Sequence, residues 1–156
     1  MRRKDREVKD FEVVKQIIEE CDVIRIGLVD DDLYPYIVPM NFGYEFEGEE
    51  IHFYLHGAMA GRKYELMKRN GKCSFEMECG QEMIPLVDKK EVTTHYKCLM
   101  GKADVIFLEA DEKIRGIDII MESNDESRGH AYNKDAVACT AVMRLKVTEW
   151  TCKVNS

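Results

Sequence analysis

The sequence contains no apolar run near the roughly 18 to 20 residues that a membrane-spanning helix needs. Its opening, Met1-Arg2-Arg3-Lys4-Asp5-Arg6, has no apolar core of the signal-peptide kind, so a cytoplasmic location is expected. The six cysteines (Cys21, Cys73, Cys79, Cys98, Cys139 and Cys152) form no C-x-x-C pair and show no metal-ligand spacing. They read as small buried hydrophobes in a reducing compartment, and neither a disulfide framework nor a metal site is expected. A positive surplus is missing as well. With 23 Lys and Arg against 30 Asp and Glu the formal charge is −7, which argues against a nucleic-acid-coating surface. Any anion site must therefore be local. No internal repeat and no low-complexity segment is visible.

What is present suits one domain spanning residues 1–156, long enough for a real core. A hydrophobic fraction of 45% is too high for a disordered chain. Phe11, Val14, Ile18 and Cys21 recur at helical spacing, predicting an amphipathic helix over 8–20. Residues 23–29 alternate, with Ile24, Ile26 and Leu28 on one face. The run Tyr34 to Phe46 is rich in strand formers but holds Pro35 and Pro39, so it is expected to be an edge or bulged strand. Glu47-Gly48-Glu49-Glu50 closes a hairpin into Ile51 to His56.

Cys73 to Cys79 alternates as a strand, residues 80–91 read as a polar excursion containing Pro85, and a long strand runs from Val92 to about Leu108. A second amphipathic helix over 110–122 presents Ile114, Ile117 and Met121, and a polar loop covers 123–135. The last strand, from Val137 to Val147, alternates until the phase slips at Glu149-Trp150, which predicts a bulge. Strands in consecutive runs with short turns predict a mainly β protein, an antiparallel sheet or barrel of about six strands with appended helices.

One stretch breaks a local rule. Between a strand end at Tyr54-Leu55-His56 and a helix from about Gly61 to Asn70, Arg62 and Lys63 set two cations against the positive end of the helix dipole. Free backbone N–H groups, the dipole and two cations together would hold a phosphate. The alternative is that both side chains extend into water.

The order of these elements resembles the FMN-binding split-barrel superfamily of pyridoxamine 5'-phosphate oxidase-like proteins, closest to the 5-nitroimidazole resistance (Nim) group. The resemblance rests on Met1 to Glu7, Pro35 to Tyr44, His56-Gly57-Ala58 through Gly61-Arg62-Lys63, Tyr96 to Gly101, and Thr148 to Lys153. The chain departs from that pattern at Cys98, where Ser is usual, and at Cys152, where Gly is common.

The resemblance implies a six-stranded antiparallel split β-barrel. It implies a homodimer with FMN at the subunit interface and a small-molecule substrate, with no nucleic-acid or membrane partner. The FMN phosphate would lie on Arg62 and Lys63, next to Gly57. Val38, Pro39, Met40 and Asn41 would run beside the isoalloxazine, with Tyr96 in a matching motif and Trp150 approaching the partner's flavin.

His56 is the candidate catalytic residue. It stands at the strand end before the phosphate turn and resembles the Nim-group histidine near the flavin, where an imidazole could give a proton to a reduced substrate. A positioning role is the alternative. His52 and His56 cannot share a metal, since four residues of strand span roughly 13 Å. His95 and His130 show no partner in the sequence.

The implied function is FMN-dependent reduction of small electron-poor aromatics such as nitroimidazoles. A non-catalytic flavin- or haem-binding protein and a pyridoxamine 5'-phosphate oxidase remain the other readings.

Overall fold

In the computed structural model the described residues are 3–124 and 132–156. Eight antiparallel strands form one sheet: β1 (Glu7–Val8), β2 (Ile24–Val29), β3 (Pro35–Met40), β4 (Gly43–Glu47), β5 (Glu50–Ala58), β6 (Lys72–Leu86), β7 (Glu91–Phe107) and β8 (Thr140–Asn155). Four helices accompany it: α1 (Phe11–Glu20), α2 (Arg62–Asn70), α3 (Ala110–Ser123) and α4 (Lys134–Ala138). The strands lie in the order β3-β2-β6-β7-β8-β5-β4, with β1 added against β8.

That order closes the barrel. β3 and β4 are the two ends of the bonded path, yet only Asn41 and Phe42 join them. Three Cα steps reach at most about 11 Å. The sheet must therefore curl until its edges are neighbours, although β3 and β4 share no ladder. The single run expected from Tyr34 to Phe46 is in fact two strands, one at each edge, and Pro39 is tolerated because β3 pairs only with β2. The strand count rises from six to eight through this division and the two-residue β1.

The interior is filled by alternate positions of each strand. Ile24, Ile26 and Leu28 are buried on β2, Cys73, Phe75 and Met77 on β6, and Ile51, Phe53 and Leu55 on β5. Phe53 lies edge-on between Phe42 and Phe75, with ring centroids 5.6 and 5.2 Å away. The amphipathic α1 adds Val14, Ile17 and Ile18, and its Asp10 cap accepts from the Glu12 N–H at 3.0 Å. Leu66 and Met67 of α2 complete the cluster.

A smaller cluster outside the sheet joins Tyr54, Leu108, Val142 and Ile120 under α3. The buried face of α3 differs from the expected one: Gly116 and Ile120 are buried, whereas Ile114 is exposed. Close approach is the reason. A Cβ on Gly116 would lie 2.9 Å from Val142, and one on Gly43 would lie 2.6 Å from the Ile120 backbone. The helix settles on the face that lacks side-chain bulk.

Three further expectations are corrected. Residues 80–91 are no excursion from the sheet, because β6 and β7 stay paired as a ribbon from Glu82 against His95 to Leu86 against Glu91. Gly80, at φ 65°, accommodates the irregularity between Cys79 and Glu82. Pro85 is accepted because this part of β6 has a partner on one side only. Val137 belongs to α4, capped by Asn133, and the last strand begins at Thr140, which leaves Cys139 exposed outside it.

The expected bulge at Glu149 is present. Lys102 and Ala103 face Glu149 and Val147, so Thr148 is the extra residue. The loop expected over 123–135 falls largely on residues outside the described ones, as does His130. Among the described residues no helix is long and apolar enough to cross a membrane.

Candidate functional site

β5 delivers His56, Gly57 and Ala58 to the edge of the barrel, and the chain then turns into α2. Gly61 caps that helix with φ 93°, a left-handed value suited to glycine, and offers no side chain to the first-turn N–H groups. The amides of this turn receive no cap from the Gly61 side. Lys63 folds back over the strand end, so that a Cβ on Gly57 would lie 3.3 Å from its Nζ. No carboxylate of the described residues forms an ion pair with Lys63.

Arg62 is placed differently. Its guanidinium grips both carboxylate oxygens of Asp30, through Nε at 2.9 Å and through Nη2, and lies 3.6 Å from Asp31. Arg69, one helix length on, bonds Asp31 at 2.7 Å and the Val29 carbonyl at 3.2 Å. The hydrogen bond from Arg62 holds the Asp30 carboxyl below the usual carboxylate range, helped by the Asp31 N–H, and raises the guanidinium in return. Asp30 and Asp31 thus neutralise the cation that stood against the dipole. Lys63, unlike Arg62, is left without a carboxylate partner among the described residues.

His56 is exposed at the end of β5 and lines a cavity of about 280 Å³ beneath α3 and α4, with Ile117, Met121, Tyr132 and Val137 among its walls. Tyr132 donates to Asp118 at 2.7 Å, and burial and that bond push its phenol up to about 12. Continued two residues past its last bonded pair, Gly43 against Tyr54, the β4–β5 register would bring Asn41 level with His56. Val38, Pro39 and Met40 stand on β3 against Ile26, Arg25 and Ile24.

Trp150 and Tyr96 are elsewhere. Trp150 lines an open groove of about 540 Å³ across the sheet with Gly101, Ser74, Gly27 and Ile37. A second hollow of about 430 Å³ shares Gly27, Ile37 and Ser74 and extends it to Asp30, the partner of Arg62. Tyr96 lies further along β7, opposite Asn155, where it receives a hydrogen bond from Arg6 at 3.3 Å. One chain therefore brings together His56, Gly57 and Lys63, and separately Trp150 with the groove.

Sequence reading missed the groove. Its only trace was the pair of strand glycines. Gly101 is crowded, since a Cβ there would lie 2.3 Å from the Glu149 carbonyl oxygen, whereas one on Gly27 would meet only Ser74 at 3.9 Å.

A search of the curated proteins gives no match. Solved structures do match. A structure provisionally described as a 5-nitroimidazole antibiotic resistance protein of Bacteroides thetaiotaomicron is 29% identical, with 95% of this chain and 86% of that one covered and a TM-score of 0.83. The flavocytochrome Anf3 of Azotobacter vinelandii is 19% identical, covers 100% of this chain and 72% of its own, and has a TM-score of 0.78. A FAD- and haem-binding protein of Mycobacterium smegmatis is 16% identical, with 97% and 74% covered and a TM-score of 0.79. The last two speak to the fold alone. The model of the pyridoxamine 5'-phosphate oxidase family matches residues 10–154, nearly the whole chain, and the protein belongs to that family.

Proposed function

We propose that this protein is an FMN-dependent oxidoreductase that reduces small electron-poor aromatics such as nitroimidazoles, acting as a homodimer with the cofactor at the subunit interface. The observation that carries this reading is the first turn of α2, where Gly61 has no side chain to cap the amides and Lys63 folds over Gly57. A phosphate monoester fits that donor set, because amide N–H groups and an ammonium converge without a competing carboxylate. Family membership and the name of the 29% identical structure support this reading. A bound flavin supplies the redox chemistry, and the protein supplies position and protons.

Lys63 and the turn hold the phosphate end. Asn41 and the backbone at Met40 meet the polar edge of the flavin where the barrel is split. His56 offers a ring nitrogen at the mouth of an apolar cavity, placed to give a proton to a substrate lying there. The apolar walls exclude water from that transfer. The groove beside Trp150 is flanked by Val29, Leu33, Tyr34 and Ile37, each more than 60% exposed, a surface suited to a second copy of the chain.

An absorption spectrum of the purified protein separates flavin from haem. Anaerobic reduction followed by mixing with a nitroaromatic then separates an enzyme from a binding protein. Sedimentation at 18.1 kDa with FMN still tightly bound would contradict the shared site.

A further inference from the structure

We propose that the tip of the β4–β5 hairpin is a binding site for a divalent first-row transition-metal cation, with His52, Glu47 and Glu50 as its protein ligands. The hairpin builds it. Gly48 takes φ 64° at the first of two loop positions, as a type II′ turn requires, and this sets Glu47 directly opposite Glu50. His52 follows Glu50 by two residues and so shares its face. Three potential donors from one short loop point into one space, their ligand atoms all within 4.8 Å of one another.

The imidazole is what separates this cluster from ordinary surface acids. His52 is only 4% exposed, and neither ring nitrogen has a hydrogen-bond partner among the described residues. Buried polar groups in native proteins nearly always have one. Its Nε2 lies 3.7 Å from Glu50 Oε2 and 3.9 Å from Glu47 Oε2, too far for a hydrogen bond and aimed between the two carboxylates.

A tetrahedral ion with bonds near 2.0–2.1 Å spaces its ligand atoms about 3.3 Å apart. Rotation of the two exposed glutamates closes that difference, by about half an ångström toward the imidazole and by at most about 1.5 Å toward each other. Two carboxylates and one imidazole carry two negative charges, which a divalent ion balances. The mixed nitrogen and oxygen set suits zinc, cobalt or manganese rather than a thiophilic ion.

The surrounding charges are consistent. Glu45, the strand partner of His52, is committed to the Tyr54 hydroxyl and to Arg115, so it does not compete. Lys146 on β8, opposite His52, does compete, with its Nζ 3.2 Å from Glu50 Oε2. Metal entry must displace that ammonium, which makes Lys146 a handle on affinity. The site lies at the end of β5 remote from His56, so it is independent of the flavin proposal.

The test is a titration of the metal-stripped full-length protein with Co²⁺, followed by visible absorption. One equivalent with a nitrogen- and oxygen-ligand spectrum is expected, without a thiolate charge-transfer band. Glu47→Gln with Glu50→Gln, both exposed and without effect on the core, should weaken binding by at least about tenfold, or 1.4 kcal/mol. His52→Gln should do the same, and Lys146→Gln should tighten binding. No saturable binding would overturn the proposal. So would a thiolate band, or an affinity that the glutamate double variant leaves unchanged while its unfolding curve matches the wild type.

Discussion

In the two proposals made above, the ends of strand β5 take ions of opposite sign. At Glu50 the hairpin gathers Glu47, Glu50 and a buried His52. At Ala58, eight residues and roughly 26 Å away, the strand meets the open amides of α2 and Lys63. The acidic end has its donors fixed by cross-strand register, whereas the basic end has them fixed by a helix terminus. Between them Ile51, Phe53 and Leu55 are fully packed. A rigid strand with a buried middle thus keeps two chemically opposed sites apart. In a chain of net charge −7 the basic end is local, and its Arg62 is already paired with Asp30.

The largest effect should come from breaking the spine that both ends share. Phe53→Ala removes a wholly buried ring between Phe42 and Phe75 and should cost about 3–5 kcal/mol in denaturant unfolding. A loss below about 1 kcal/mol would mean that β5 does not anchor the two ends.

Next comes chemistry at the basic end alone. His56→Ala should keep FMN yet slow reoxidation of the reduced cofactor by a nitroaromatic by roughly 10²-fold, the scale of general acid catalysis. If the variant loses FMN instead, His56 packs the cofactor. If the rate is unchanged, it is a bystander.

A smaller change should sharpen the contrast. Asp30→Asn releases Arg62 to the helix turn, so FMN should bind a few-fold more tightly while Co²⁺ binding at the hairpin stays as it was. Weaker FMN binding would show that Asp30 positions the turn for its ligand.

The smallest effect is in pH. Because Arg62 lowers the Asp30 carboxyl, the unprotonated form is favoured by folding. The tether between α2 and the end of β2 is therefore complete above the ordinary carboxylate value of about 4 and is lost as pH falls below it. Thermal unfolding of the wild type should lose this increment on acidification, and Asp30→Asn should not show it.

The two ends also differed in how far the sequence revealed them. The basic end was legible because its signal is local: glycines, two cations and a helix start lie within seven residues of one another. The family resemblance read from those motifs is borne out by the match over residues 10–154. What local reading could not supply was the partner of Arg62. Asp30 is 32 residues away and is brought in by the packing of α2 on β2.

The acidic end was illegible for the same reason. Glu47 and Glu50 read as turn residues, and His52 was weighed only against His56, because the register that groups them is a property of the folded hairpin. Alternation placed the strand cores well. Helical spacing missed the buried face of α3, which two glycines set, and the polar reading of 80–91 missed that largely exposed residues there continue the β6–β7 ribbon.

The most direct test of the central claim, that the basic end of β5 holds a phosphate, compares FMN with riboflavin by calorimetric titration. The proteins needed are the wild type and the double variant Arg62→Ala with Lys63→Ala. Only FMN carries the phosphate. The double variant should lose affinity for FMN by about 10²-fold, the worth of one to two charge-assisted hydrogen bonds, and should bind riboflavin as the wild type does. Equal losses for both ligands would contradict the claim, as would a wild-type protein that binds FMN no better than riboflavin.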